Sequence, residues 1–208
     1  GTSAVILCDN SMMSGTVARE SVRSLRDVLP SVAGQDSVAV VLFDHDLLEL
    51  SPLSPLAAAT EKCDPDKVPA ADGLTAVYSA CLSGLAMLSD QKQGRVLIVI
   101  TTSDDNASVS TSTADIVRRA AEMQATINVI RVGRSSRAYP YRYLSAATGG
   151  RLYTISEDET SNIGSIVREI LYASKHALDI TIPAELTSAS CDDVWLKVRL
   201  EQDSSSPL

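Results

Sequence analysis

The chain has 208 residues, 45% hydrophobic and 21% charged, with a formal net charge of −8. That length and balance suit one large domain with a proper core. The acidity excludes an electrostatic footprint for nucleic acid and a charge-driven membrane contact. Only 4% of residues are aromatic, with one Phe and one Trp, so the core has to be built from Val, Ile, Leu and Ala.

The apolar runs are short, rich in β-branched residues and separated by helical patterns. Residues 3–9 (SAVILCD) predict a buried strand. Residues 16–29 predict a helix, with Val17, Val22, Leu25, Val28 and Leu29 at helical spacing and Pro30 and Gly34 to end it. A second buried strand covers 37–44. A short strand at 47–50 follows after so tight a turn that the pair has to be an antiparallel hairpin. Asp44 and Asp46 shape that turn.

A Pro- and Ala-rich stretch over 51–72 holds a short helix at 56–62. The helix at 75–88 carries a stripe of Leu74, Val77, Cys81, Leu85 and Leu88. Then come a strand at 96–100 (VLIVI), a helix at 113–123 and a strand at 126–132 (TINVIRV). A short helix at 143–148 is stopped by Gly149-Gly150, and a strand at 151–155 and a helix at 162–174 follow. Two late strands, 178–182 and 194–200, alternate polar and apolar residues and include Trp195.

Strands that are apolar throughout and alternate with helices define a doubly wound α/β fold, a mostly parallel sheet with helices on both faces. We expect residues 1–176 to form this domain. Residues 177–208 are expected to add the two strands and a linker-like tail, or to begin a β-rich domain within a larger multidomain chain. None of the four cysteines forms a C-x-x-C pair. Cys8 and Cys81 lie in apolar patterns as small buried hydrophobes, a weak lean towards an intracellular, reducing setting. No apolar run reaches transmembrane length, so membrane insertion is not expected.

Doubly wound sheets place ligands at the carboxyl ends of their strands. Three loops there carry oxygen-bearing side chains: Asp9 to Ser14 (DNSMMS), Asp72 to Ser79 (DGLTAVYS) and Val99 to Asn106 (VITTSDDN). A strand ending in D-x-S, then G-x-T opening a helix, then a buried strand ending in T-x-x-x-D resembles the von Willebrand factor A domain. The resemblance spans residues 3–175 in order and spacing, and includes Gly149-Gly150 in AATGGRLY. It implies a six-stranded sheet of order 3-2-1-4-5-6 with the third strand antiparallel. It also implies a metal-ion-dependent adhesion site built on D-x-S-x-S, a threonine of the second loop and an aspartate of the third.

That site is incomplete here. Asp9, Ser11 and Thr75 keep their places. Met13 stands where the second serine belongs, Thr102 where the third-loop aspartate belongs, and Ser103 where a glycine belongs. A thioether does not replace a hydroxyl on a hard ion. Thr102 offers oxygen without charge, and Asp104 or Asp105 is the available substitute. Mg²⁺ is therefore expected to be absent or held weakly, with Asp9 and Ser11 bonded instead to their own loop. Met12, Met13, Leu74 and Ser103 are the candidate partner surface, methionine being an adaptable contact residue.

The resemblance implies a protein-binding or scaffold module. One alternative is a working Mg²⁺-dependent site that accepts an acidic side chain from a protein partner. A more remote one is a phosphatase-like enzyme with Asp9 as nucleophile, against which Ser11 stands where a second Asp is needed. The two histidines, His45 in the hairpin turn and His176 after the last helix, are not expected near the motif loops. No nucleophile elbow or phosphate-binding Gly loop is present, and no enzyme activity is expected.

Overall fold

Buried β-branched runs and amphipathic helices alternate along the chain, and the computed structural model shows how they stack. It describes residues 1–32, 34–92, 94–133 and 138–175. Among these, the first strand, β1 (Ser3–Asp9), is buried along its whole length. Helix α1 (Val17–Val28) leads to β2 (Ser37–Phe43), β3 (Leu47–Pro55) and α2 (Leu56–Lys62). Helix α3 (Val77–Met87) precedes β4 (Arg95–Thr101), α4 (Thr113–Glu122) and β5 (Ala125–Val132). Helix α5 (Tyr139–Ala147), β6 (Leu152–Ile155) and α6 (Ile163–Lys175) complete the order.

The strands form one sheet in the order β3-β2-β1-β4-β5-β6. All neighbours are parallel except β3, which is antiparallel to β2. This is the topology the resemblance implies. Period-two alternation splits each central strand between two cores. Ala4, Ile6 and Cys8 pack under α1, α2 and α6, while Val5 and Leu7 pack under α3, α4 and α5. Each fully buried Leu, Ile or Val contributes about 1.5–3 kcal/mol relative to exposure. No described helix is long and apolar enough to cross a membrane.

Three elements differ from the sequence expectation. Strand β3 runs nine residues rather than four, through Pro52 to Pro55. It is an edge strand, where a missing N–H removes no obligatory ladder bond, and its pairing with β2 is irregular between Val38 and Val41. Helix α5 starts at Tyr139, four residues before the expected start, with Pro140 in its first turn. Proline is favoured there because those amides have no intrahelical partner. Helix α3 starts only at Val77, which puts Leu74 outside its buried stripe. The segment before it is held by other loops: Asn106 Oδ1 accepts from Thr75 N (2.8 Å) and the Asp44 carbonyl from Ala76 N (2.8 Å).

The two glycines at 149–150 have separate physical reasons. Gly149 sits at φ +76°, and a Cβ on Gly150 would stand 2.1 Å from the Ile127 carbonyl oxygen. The late strands at 178–182 and 194–200, with Trp195, lie outside the described residues, as do His176, Cys191, Arg134 and Arg137.

Cys8, Cys63 and Cys81 are buried free thiols. Burial pushes Cys63 up to about 11 and Cys81 up to about 12, and Cys8 is also raised by burial. Only the thiolate attacks a disulfide reagent. These three are expected to react with Ellman's reagent at pH 8 at least about a hundredfold more slowly in the folded chain than in urea.

Candidate functional site at the carboxyl end of the sheet

Asp9 ends β1, and the loops after β1 and β4 and before α3 close over it. Its carboxylate is buried, yet no basic side chain is paired with it among the described residues. Hydroxyl and amide donors surround it instead. Oδ1 accepts from Ser11 N (3.0 Å) and Ser11 Oγ (2.6 Å). Oδ2 accepts from Thr101 Oγ1 (2.8 Å), Thr102 N (3.2 Å) and Thr102 Oγ1 (3.4 Å), and Ser103 Oγ lies 3.3 Å away. A carboxylate has about four lone-pair sites, so the short contacts alone fill it.

The hydroxyls are also joined to one another. Thr75 Oγ1 donates to Ser11 Oγ (2.7 Å) and lies 2.8 Å from Ser103 Oγ. Each hydroxyl has one proton. Ser11 spends its proton on Asp9 and Thr75 spends its own on Ser11, so in the Thr75–Ser103 pair Ser103 is the donor. Donors pointing one way along such a chain polarise each other. Three loops thereby converge on one anion, and the three positions the sequence singled out, Asp9, Ser11 and Thr75, do meet.

The first and second loops are also pinned by backbone. Met12 N donates to the Gly73 carbonyl (3.1 Å) and Asp72 N to the Asn10 carbonyl (3.1 Å). This brings Met12, Met13 and Leu74 together at the rim, 66%, 72% and 55% exposed. Neither methionine is packed under the loop.

The candidate substitutes are engaged elsewhere. Asp104 Oδ1 is 2.8 Å from Arg131 Nη1. Asp105 accepts from Tyr78 N (2.8 Å), Ser108 N (3.1 Å) and Ser108 Oγ (2.5 Å), and Ser108 Oγ accepts from Ser79 N (3.0 Å). Asp105 and Ser108 thus cap the orphan amides at the start of α3, a favoured place for a negative charge. Three residues escaped the sequence reading. Asn106 clamps the second loop through Thr75. Tyr141 is buried and donates its hydroxyl to the Ser103 carbonyl (2.8 Å). Burial raises its phenol, which keeps it a donor at neutral pH. Arg131 was legible only as the one charge in an apolar strand.

A divalent ion is the group this fold implies. Mg²⁺ takes about six oxygens in near-octahedral geometry. The residues here offer one carboxylate whose lone pairs are already taken, hydroxyls already bonded to each other, and an exposed thioether at Met13. No group of three or more His, Cys, Asp or Glu side chains suited to a metal occurs among the described residues. This donor set does not fit a tightly held divalent ion. Nor does it present Asp9 as a nucleophile, since both oxygens are buried acceptors.

A doubly wound sheet with a hydroxyl-lined acidic site at its carboxyl end is the class that geometry defines. No family model matches the sequence and no curated protein matches it; solved structures do. BatB from Bacteroides thetaiotaomicron, described as a conserved hypothetical protein, gives a TM-score of 0.65 at 14% identity, over 85% of this chain and 100% of that chain. A von Willebrand factor type A structure from Catenulispora acidiphila also gives 0.65, at 18% identity over 83% of this chain and 42% of that one. Proximal thread matrix protein 1 from the mussel byssus, with a zinc-occupied adhesion-site motif, gives 0.61 at 19% identity over 84% of this chain and 46% of that one. The chain has the von Willebrand factor A fold, and spans less than half the length of the latter two.

Proposed function

We propose that this chain is a protein-binding module of the von Willebrand factor A fold that works without a tightly bound metal ion. The observation that carries the reading is the closed hydrogen-bond ring around Asp9. Five donor contacts from its own and the third loop satisfy the one carboxylate of the site. The zinc in the mussel protein belongs to that protein. Here the place of the second serine is held by Met13. The convergence of Asp9, Ser11 and Thr75 supports the other reading, a weak Mg²⁺ site that accepts an acidic partner residue.

The partner surface in this reading is the rim formed by Met12, Met13 and Leu74, with half-buried Ser103 beside it. Large apolar side chains side by side on an exposed loop tip mark an interaction site more often than scattered ones do, and methionine adapts to partners of varied shape. A Met12→Glu/Met13→Glu variant tests this. Both side chains are exposed, so its stability should stay within about 0.5 kcal/mol of wild type. Its capture of protein partners by pull-down should fall at least about tenfold, a loss of about 1.4 kcal/mol. Undiminished capture by a folded variant would place the interface elsewhere.

A further inference from the structure

Beside the Asp9 ring lies a second polar feature that the reading above leaves unused. Arg131 is near the end of β5, in register with Thr101 of β4, and is only 2% exposed. A buried charge is costly unless its donors are paired. Here one edge of the guanidinium is paired and the other is not. Nη1 meets Asp104 at 2.8 Å, and Cζ lies 4.7 Å from the centroid of the Tyr141 ring. Nε and Nη2 have no hydrogen-bond partner among the described residues and no contact with solvent. The great majority of buried polar groups are bonded, so two orphan nitrogens on one cation call for a ligand.

We propose that Arg131 is a carboxylate-receiving site and that Asp104 occupies it in cis in the free protein. Arginine pairs carboxylates most strongly through two parallel N–H···O bonds. Asp104 supplies contact at Nη1 and leaves the buried Nε–Nη2 edge unpaired. Its own side chain is 35% exposed, so it stands at the boundary between Arg131 and water. An acidic side chain from a partner that displaces Asp104 gains the bidentate geometry Asp104 lacks. No covalent bond changes: one carboxylate leaves the guanidinium and another takes its place.

The site is connected to the hydroxyl chain on Asp9 by short links. Tyr141, stacked on Arg131, holds the Ser103 carbonyl, and Ser103 Oγ donates into the hydroxyl chain that ends on Asp9. The ligand class is a carboxylate of an acidic peptide. Only that peptide source rests on the protein-binding reading; the anion site itself does not.

The test is a titration of sodium acetate, at constant ionic strength against chloride, into ¹⁵N-labelled chain. The Arg131 Nε–H resonance is followed, assigned by its loss in a folded Arg131→Lys variant. Wild type is expected to show a saturable shift. Asp104→Asn, which removes the competing charge, is expected to bind about tenfold more tightly, because an internal competitor lowers apparent affinity by the fraction of sites it blocks. An acidic tripeptide should shift the same resonance, and inorganic phosphate less. A resonance that acetate leaves unmoved in both wild type and Asp104→Asn, or that chloride moves equally, overturns the proposal and leaves a buried water on the orphan donors. Acetate binding with undiminished partner capture by Met12→Glu/Met13→Glu would instead separate this site from the rim reading.

Discussion

Replacing Asp9 by Ala is expected to destabilise the chain by about 3–5 kcal/mol, because the donors that surround the carboxylate are left buried and unpaired. Ser11 N has no alternative acceptor among the described residues, Thr101 Oγ1 keeps only its longer contact to the Ser103 carbonyl (3.1 Å), and Ser11 Oγ and Thr75 Oγ1 lose the anion that orients their chain. Asp9→Asn is the sharper version. It keeps one acceptor oxygen but turns an NH₂ group against donors, and should cost about 2–3 kcal/mol. The sign separates two pictures of the site. A carboxylate that waits for a cation carries unrelieved negative charge, and neutralising it would stabilise the ion-free fold. A carboxylate already satisfied by its own loops makes the same change destabilising. Urea denaturation followed by circular dichroism reads the sign directly, as a lower midpoint at unchanged slope.

Gly164→Ala is expected to destabilise by about 2–3 kcal/mol, although the residue lies near the start of a helix. Helix propensity alone would favour alanine by about 1 kcal/mol. The local geometry decides otherwise. A Cβ at this position would stand 2.4 Å from the Ser24 carbonyl oxygen and 2.7 Å from Val28 Cγ2, where α6 lies against α1. The same contact is fixed by polar bonds: Gly164 N donates to Ser24 Oγ (2.8 Å), and Ser24 Oγ donates to the Ser161 carbonyl (2.9 Å). The clash is with backbone, so the helices have to separate and open the core beneath α1. A thermal melt no lower than wild type would mean that the two helices are not packed this closely.

The sheet was legible because its strands are buried on both faces. Runs such as VLIVI at β4 and SVAVVLF at β2 have no solvent side to hide their pattern, and strand order was implied by the resemblance to the von Willebrand factor A domain. What the pattern missed has physical causes. Strand β3 was read as four residues because Pro52 and Pro55 look like breakers, yet an edge strand has free N–H positions that tolerate them. The start of α5 was missed because Tyr139 to Tyr143 mixes exposed and buried tyrosines around a proline, which hides helical periodicity. Leu74 fitted the spacing of the α3 stripe but belongs to a loop held off the helix by Asn106 and Asp44.

In the site, the sequence located Asp9, Ser11 and Thr75 but not what satisfies them. Local spacing carries the D-x-S turn. The contributions of Thr101, Thr102 and Ser103 depend on β4 lying beside β1, a contact between residues more than 90 positions apart. Asp104 and Asp105 showed the same limit. Sequence proximity made both look available, while their partners, Arg131 and the first amides of α3, come from elsewhere in the chain.

The most direct measurement is a calorimetric titration of Mg²⁺ and Mn²⁺ into the wild-type chain and into a Met13→Ser/Thr102→Asp variant. The variant restores the missing hydroxyl and the missing charge, and so brings the donor set closer to what a hard divalent ion takes. The account predicts no saturable heat for wild type at millimolar ion, and saturable binding with a raised melting temperature for the variant, since an ion that binds only the folded chain must stabilise it. Saturable heat in wild type that disappears in Asp9→Asn would contradict the account and make this a working metal site.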